Sequence, residues 1–390
     1  MISANKAIER ILETTSTLET IEIPLPKALG HTLSEDALSS IDMPPFDNSA
    51  MDGYAINAWE SNTYTVVSEI RAGANATDIL LNPGEAARIF TGAMVPESCT
   101  AVVKQEITTR NGNSVAITEA FKSGGNIRKR AEQIETGAIA LTTGTFLNAA
   151  AIGFLQMLGI TSVKVYRKPT IKLLITGDEL VAAGKTLEPG QIYESNGITI
   201  ISALRELGFD AASVRVNDDY QSTVAKVKEL LLECDVLITS GGISVGDYDF
   251  VGKAMEQNGV RTSFYKVKQK PGKPLFYGFN NTCHVFALPG NPASALTCTY
   301  LYVYPALQKM IGSNDPHLEM RSLQLANSYS KKPGLTHHLK GRITGNLVES
   351  LENQSSSMLN SFALSDCLIV VPEETEHLEP GDSVSVYILP

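Results

Sequence analysis

DVLITSGGISVGDYDF, residues 235–250, decides the fold. Its first half is a short apolar run of branched residues, the signature of a strand buried on both faces. The run breaks at Gly241 and Gly242, crosses a polar loop, and enters FVGKAMEQNGV, which has helical spacing. Upstream lie a strand (IKLLITG), a helix (SNGITIISALRELGF) stopped by Gly208, a strand (AASVRV) and a helix (YQSTVAKVKELLLEC). Downstream lie a strand (CHVFALPG) and a helix (SALTCTYLYVYPALQKMIG). Strands alternating with helices predict a right-handed, parallel α/β sheet over 169–316.

The flanks read differently. Residues 3 to 14 place Ala4, Ala7, Ile8, Ile11 and Leu12 at helical spacing behind Ser3 as N-cap. Short Thr/Val/Ile-rich runs then predict a small β-domain inserted at about 45–137 of an N-terminal region, 1–168. The segment 147–160 reads as a helix ending at Gly159, and 166–170 as a linker. Short strands return over 317–390, giving a small C-terminal β-domain. The expected class is therefore α/β multidomain.

Net charge is −10 over 390 residues and the pI is near 5.2, which argues against nucleic-acid or anionic-membrane partners. No run approaches the roughly 20 apolar residues of a membrane helix, and the N-terminus lacks a secretory pattern. Five cysteines lie far apart without CxxC spacing, as expected of free thiols in a cytoplasmic protein.

In an open parallel sheet, ligands sit beyond the carboxyl ends of the strands. Four such ends are polar here. ITGDEL offers Asp178 and Glu179, and VRVNDDY offers Asp218 and Asp219. SGGISVGDYD offers Ser240, Gly241, Gly242, Ser244, Asp247 and Asp249; ALPGNPASA offers Pro289, Asn291 and Pro292. Each alone is ordinary turn chemistry. Together, the glycines let backbone N–H groups approach a phosphate, and Asn291 with Pro292 opens a helix whose N-terminus suits an anion. The carboxylates then make sense with Mg²⁺ between them and a phosphate.

KVKQKPGKP, 266–274, puts Lys266, Lys268, Lys270 and Lys273 within eight residues of an acidic chain. Read as a strand, it sets the first three lysines on one face, which is unfavourable unless an anion lies over them. The plainer reading is an edge strand whose lysines block aggregation. Pro271 and Pro274 favour a rigid site for a small multivalent anion.

With DNSAMDGYA (47–55), TGA (91–93), YESN (193–196) and NQSSS (353–357), these motifs make the chain resemble the MoeA family of molybdopterin molybdenumtransferases over about residues 3–389. The resemblance implies N-terminal β-rich and linker domains used in dimerisation, a central MogA-like α/β domain and a C-terminal β-barrel. It implies that adenylylated molybdopterin and molybdate react with Mg²⁺, inserting molybdenum and releasing AMP. Lys270, Lys273 and Pro274 fall on the family's oxyanion pocket, with Ser294 nearby and Ser356 completing it. Lys266 falls on a further basic position. Asp249, with Asp218 or Asp219, and Glu179 would serve the metal and adenylate. Asp52 and Thr91 would reach the partner subunit's site in a homodimer. The resemblance leaves room for a molybdopterin adenylyltransferase partner, and does not separate molybdate from tungstate. Adenylylation of molybdopterin itself, or a gephyrin-like scaffold, are the alternatives. Two departures stand out: RKRAEQ (128–133) has Ala131 and Gln133 where the family has Gly and Asp, and Lys340 replaces an arginine.

Overall fold

The computed structural model describes residues 1–217, 219–241 and 250–390. Helix α1 (Ala4–Thr14) begins at Ser3, whose side chain accepts from the Lys6 N–H. Its apolar stripe, Ala4, Ala7 and Ile11, is buried in the central core with Ile171, Val236 and Tyr302 rather than among the N-terminal strands that follow. A six-stranded sheet comes next: β1 (Gly53–Ile56), β2 (Thr63–Ile70), β3 (Glu85–Ile89), β4 (Ala101–Lys104), β5 (Thr108–Asn111) and β6 (Ser114–Ile117), in the order β4-β1-β3-β2-β6-β5. Helix α2 (Ala149–Met157) and the antiparallel pair Thr20–Pro24 with Ser162–Tyr166 enclose a separate small core around Leu33, Leu147 and Leu155. The 166–170 segment is anchored: Arg167 pairs with Glu19 and Asp235, and the Thr170 N–H donates to Asp235.

The central unit runs β7 (Ile171–Ile175), α3 (Asn196–Glu206), β8 (Ala211–Arg215), α4 (Tyr220–Glu233), β9 (Val236–Ser240), α5 (Phe250–Gln257) and β10 (Arg261–Tyr265). It continues through a two-residue strand β11 (Gln269–Lys270), β12 (Phe276–Phe279), β13 (His284–Leu288), α6 (Pro292–Cys298), a π-helical turn (Thr299–Val303) and α7 (Tyr304–Met310). Sheet order is β8-β7-β9-β13-β12-β10. Alternate residues of the strands serve two cores. Leu173, Ile238 and Phe286 face α1, α3, α6 and α7, while Leu174, Leu237 and Val285 face α4 and α5. Burial on both faces is why these strands read as unbroken apolar runs.

The sheet is not wholly parallel. Strands β8, β7, β9 and β13 are parallel, but β12 is antiparallel to β13 and β10 to β12. The cause is a hairpin: the Asn280 side chain accepts from the N–H groups of Thr282 and Cys283, turning β12 straight back into β13. The four strands whose ends carry the polar motifs are the parallel ones, so those ends share one edge.

After 317 the chain forms β14 (Met320–Leu325), β15 (Thr336–Thr344), β16 (Leu347–Ser350), β17 (Cys367–Val371) and β18 (Ser383–Ile388). The order β15-β16-β14-β18-β17 closes through a β15–β17 pairing into a five-stranded barrel, and β11 adds to its outside in parallel with β15.

Ala131 holds φ +61°, a left-handed backbone that costs an L-residue roughly 1–2 kcal/mol and glycine little. We expect Ala131→Gly to stabilise the N-terminal region by about 0.5–1 kcal/mol, after the extra unfolded-state freedom of glycine. Fluorescence of Trp59, the single tryptophan, followed through denaturant checks this; an unchanged or lower midpoint contradicts it.

Burial pushes the imidazoles of His284, His337 and His338 down to about 4, with the Lys270 and Lys331 charges adding to the effect at His337. All three are then neutral in the folded protein and protonate near 6.5 once unfolded. Stability is full above pH 6.5 and falls as pH drops toward 4, by at most about 1.4 kcal/mol per unit for each site. His338 is buried with neither ring nitrogen hydrogen-bonded. Unfolding curves for His338→Leu should therefore decline less steeply between pH 6.5 and 4 than those of the parent chain.

Candidate active site

A cleft of about 540 Å³ opens where the carboxyl edge of the central sheet meets the barrel. Lys270, Lys273 and Pro274 line it from the β11–β12 loop, Pro289, Asn291 and Ser294 from the start of α6, and Gln354, Ser355 and Ser356 from the loop after β16. Residues more than 60 positions apart are joined here by a few bonds. β11 pairs Gln269 with Thr336 and Lys270 with His337. Across the cleft, the Ser356 carbonyl accepts from the N–H groups of Ala293 and Ser294 at 3.1 and 3.3 Å, and Asn291 Nδ2 donates to Ser356 Oγ at 2.8 Å.

Those bonds correct one expectation. Asn291 occupies the N-cap position and Pro292 the first turn, but the Asn291 side chain makes no capping bond, and the Ala293 and Ser294 N–H groups are already taken by Ser356. The helix end is a clamp on the barrel loop more than an open anion receptor. What faces the cleft is the hydroxyl and amide chemistry of Ser356 and Asn291, with the ammonium groups of the exposed Lys270 and Lys273.

The four lysines do not share a strand face. Lys266 has φ +67°, so the chain turns there, and its ammonium lies 4.8 Å from the Tyr265 ring centroid. Lys268 pairs with Glu373 of the barrel at 2.5 Å. Neither lines the cleft. The segment is also stitched to the N-terminus: the Ile2 N–H donates to the Lys266 carbonyl and the Lys268 N–H to the Ile2 carbonyl. Among the described residues no carboxylate pairs with Lys270 or Lys273, so their charge remains available.

At the sheet edge, Ser240 is buried and accepts from Asn196 Nδ2 at 2.8 Å; the same amide donates to the Gly290 carbonyl at 2.7 Å. Gly241 follows with φ +86°. Asn196 thus ties the end of β9 to the PGNP loop. Among the expected acids, Glu179 is exposed beyond β7, and Asp219 caps α4 by accepting from the Ser222 N–H at 2.9 Å. The Ser222 hydroxyl and N–H hold the Asp219 carboxyl below its usual range. Asp218, Gly242, Ser244 and Asp249 lie outside the described residues. Among the described residues no three His, Cys, Asp or Glu converge on a point. The oxygen donors available are nonetheless hard ligands, and Mg²⁺ needs only one or two of them beside substrate phosphates.

Asp52 and Thr91 meet each other in the N-terminal sheet. Asp52 Oδ1 accepts from the Thr91 N–H at 2.8 Å and hydroxyl at 2.7 Å, which lowers its pKa. Neither lines the cleft. Lys340, which stands where the family has an arginine, is buried beneath the serine loop and donates to the carbonyls of Asn353, Ser355 and Met358. Its three protons match three carbonyls, which suits an ammonium better than a guanidinium fork. The sequence reading also missed Asn196 and Gln269. In sequence, Asn196 stands out only as part of YESN, and Gln269 reads as a spacer between lysines.

Three family models match in chain order: the MoeA N-terminal region (domain I and II) over 2–159, a "Probable molybdopterin binding domain" over 172–309, and the MoeA C-terminal region (domain IV) over 322–389. The molybdopterin molybdenumtransferase of Staphylococcus epidermidis is 31% identical over 99% of this chain and 95% of its own length. That of Staphylococcus aureus is 31% identical with the same coverage. A solved structure of a Pyrococcus horikoshii molybdopterin biosynthesis MoeA protein superposes with TM-score 0.83 at 30% identity, covering 100% of this chain and 99% of that one. Another of that protein gives 0.86 at 26%, with both chains fully covered. By full-length sequence and by fold, the chain belongs to the MoeA family of molybdopterin molybdenumtransferases.

Proposed function

We propose that the chain inserts molybdenum into molybdopterin, taking adenylylated molybdopterin and molybdate and releasing AMP. The observation that carries this is the cleft itself: two uncompensated ammonium groups, Lys270 and Lys273, opposite Asn291 and Ser356, at the shared edge of four parallel strands. A tetrahedral dianion suits such a set, because each charged hydrogen bond is worth about 1.5–3 kcal/mol. Pro274, Pro289 and Pro292 stiffen the walls. Ser240 and Gly241, with Gly242 and Ser244 beyond them, take the phosphate end of the substrate at the neighbouring strand tip. Lys266 sits apart and would act only on an extended ligand.

Glu179 and Asp249, with Asp218 or Asp219, would hold Mg²⁺, which when bound neutralises phosphate charge. Asp219 is the weaker candidate because one of its oxygens already caps α4. Asp52 and Thr91 form a compact polar pair outside the cleft, and in a homodimer they would serve the partner's site. The five cysteines are all free, which favours a reducing, cytoplasmic setting; a molybdopterin adenylyltransferase fits as the supplier of substrate.

Incubation with adenylylated molybdopterin, Mg²⁺ and molybdate should release AMP and load metal; a tungstate arm measures oxyanion preference. Lys270→Ala or Lys273→Ala should require about 10- to 100-fold more molybdate for the same rate, the equivalent of one charged hydrogen bond. Normal turnover by the double variant at low molybdate defeats the assignment.

Shared sites make a second prediction. At molybdate levels too low for Lys270→Ala chains to turn over, mixing them with Asp52→Ala chains should restore activity, since a mixed dimer holds one site with neither lesion. If subunits exchange and no activity returns, each chain works alone.

A further inference from the structure

The two lysines of the cleft sit on a loop that is braced from below. Gln269, next to Lys270, is fully buried. Its Nε2 donates to the Gly272 carbonyl at 3.1 Å, bridging the loop between Lys270 and Lys273. Its Oε1 accepts from the hydroxyl of Tyr302, also fully buried. Tyr302 belongs to the π-helical turn that interrupts the helix following the PGNP loop. Such turns are rare and re-aim side chains that a regular helix would place elsewhere. Gly272 itself has φ +87°, and a Cβ there would come within 2.6 Å of Cys298 Sγ and 2.8 Å of Gln269 Nε2. The loop therefore lies directly on this buried layer.

We infer that Gln269 and Tyr302 are positioning residues that hold Lys270 and Lys273 at the spacing an oxyanion requires; this rests on the reading of the cleft as the oxyanion site. A buried amide has no reason to be there for packing alone. Placed in an apolar layer without partners it costs stability, whereas here both ends of the amide are satisfied and one bond reaches across the loop. The lysine side chains are long and exposed, so only their backbone origins can be fixed. Fixing them lowers the ordering cost when the anion binds. The brace also links the loop to the helix that carries Asn291 and Ser294, so the lysine and serine sides of the cleft share one buried support.

The test uses the full-length chain in four variants: Tyr302→Phe, Gln269→Met, their double, and Lys270→Ala. Rates of molybdenum insertion are measured against molybdate at saturating adenylylated molybdopterin and Mg²⁺, then against the pterin at saturating molybdate. Tyr302→Phe and Gln269→Met should each raise the molybdate KM about 10-fold, in the range seen when residues supporting direct ligands are removed. They should leave kcat and the pterin KM within about 2-fold, and the double should be no worse than the worse single, since both cut one chain of bonds. Tyr302→Phe loses a single oxygen, so it decides the matter if Gln269→Met does not fold. An unchanged molybdate KM in a folded Tyr302→Phe, alongside a raised one in Lys270→Ala, overturns the inference. So does an equal loss in kcat and both KM values, the mark of general damage. If Lys270→Ala also leaves the molybdate KM unchanged, the oxyanion reading of the cleft falls, and the inference with it.

Discussion

Two residues of backbone, Gln269 and Lys270, hydrogen-bond in parallel with Thr336 and His337, and the cleft depends on that join. The central sheet and the barrel otherwise keep cores of their own, joined where Phe362 and Leu368 pack into the central one. Further polar links come from the Ser356 carbonyl, accepting from two N–H groups of α6, from the Asn291 amide donating to the Ser356 hydroxyl, and from the Lys268–Glu373 pair. The half-exposed ion pair contributes little, so the backbone bonds and the apolar contact of Phe362 and Leu368 with the helical layer carry the seam. An anion site at such a seam is formed only when both units are in place.

A chain of net charge −10 does not invite a dianion, yet the site can still take one. At physiological ionic strength, charges more than roughly 8 Å away are largely screened. An ammonium at about 4 Å in a partly desolvated cleft contributes about 4 kcal/mol of attraction before desolvation costs. Local arrangement therefore outweighs the global sum. Glu373 shows the same rule in reverse, cancelling Lys268 while Lys270, two residues on, keeps its charge for the cleft.

The architecture was legible where periodicity was strong. The apolar runs of β7, β9 and β13 and the helices between them left little choice. The hairpin that reverses β12 is written in Asn280, but its first strand is only four residues long and follows two prolines, so no alternation marks it. The lysine segment shows a different limit: alternation suggested a strand face, and a turn at Lys266 and a barrel carboxylate at Glu373 dispersed it. Neither is visible locally, since Glu373 is more than 100 residues away. Likewise Asp219 satisfies its own helix and Lys340 its own loop, roles that residue type alone does not distinguish from binding a ligand. The convergence of Lys270, Lys273, Pro274, Ser294 and Ser356 is what the family motifs imply, whereas the bond from Asn291 to Ser356 and the Gln269–Tyr302 brace beneath the cleft need the three-dimensional contact.

The position of α1 bears on how the chain is made. Its apolar stripe packs against residues of the central core as distant as Met310, and Ile2 pairs with Lys266 and Lys268. At about 5–20 residues per second, ribosomal synthesis separates the two partners by roughly 15–60 s. A helix of 11 residues is marginal alone in water. A segment that leaves the ribosome well ahead of its partners is thus among the last to find its place. The strands of the N-terminal sheet can close while α1 still waits, its greasy face open to chaperones, until the last helix of the central unit has emerged.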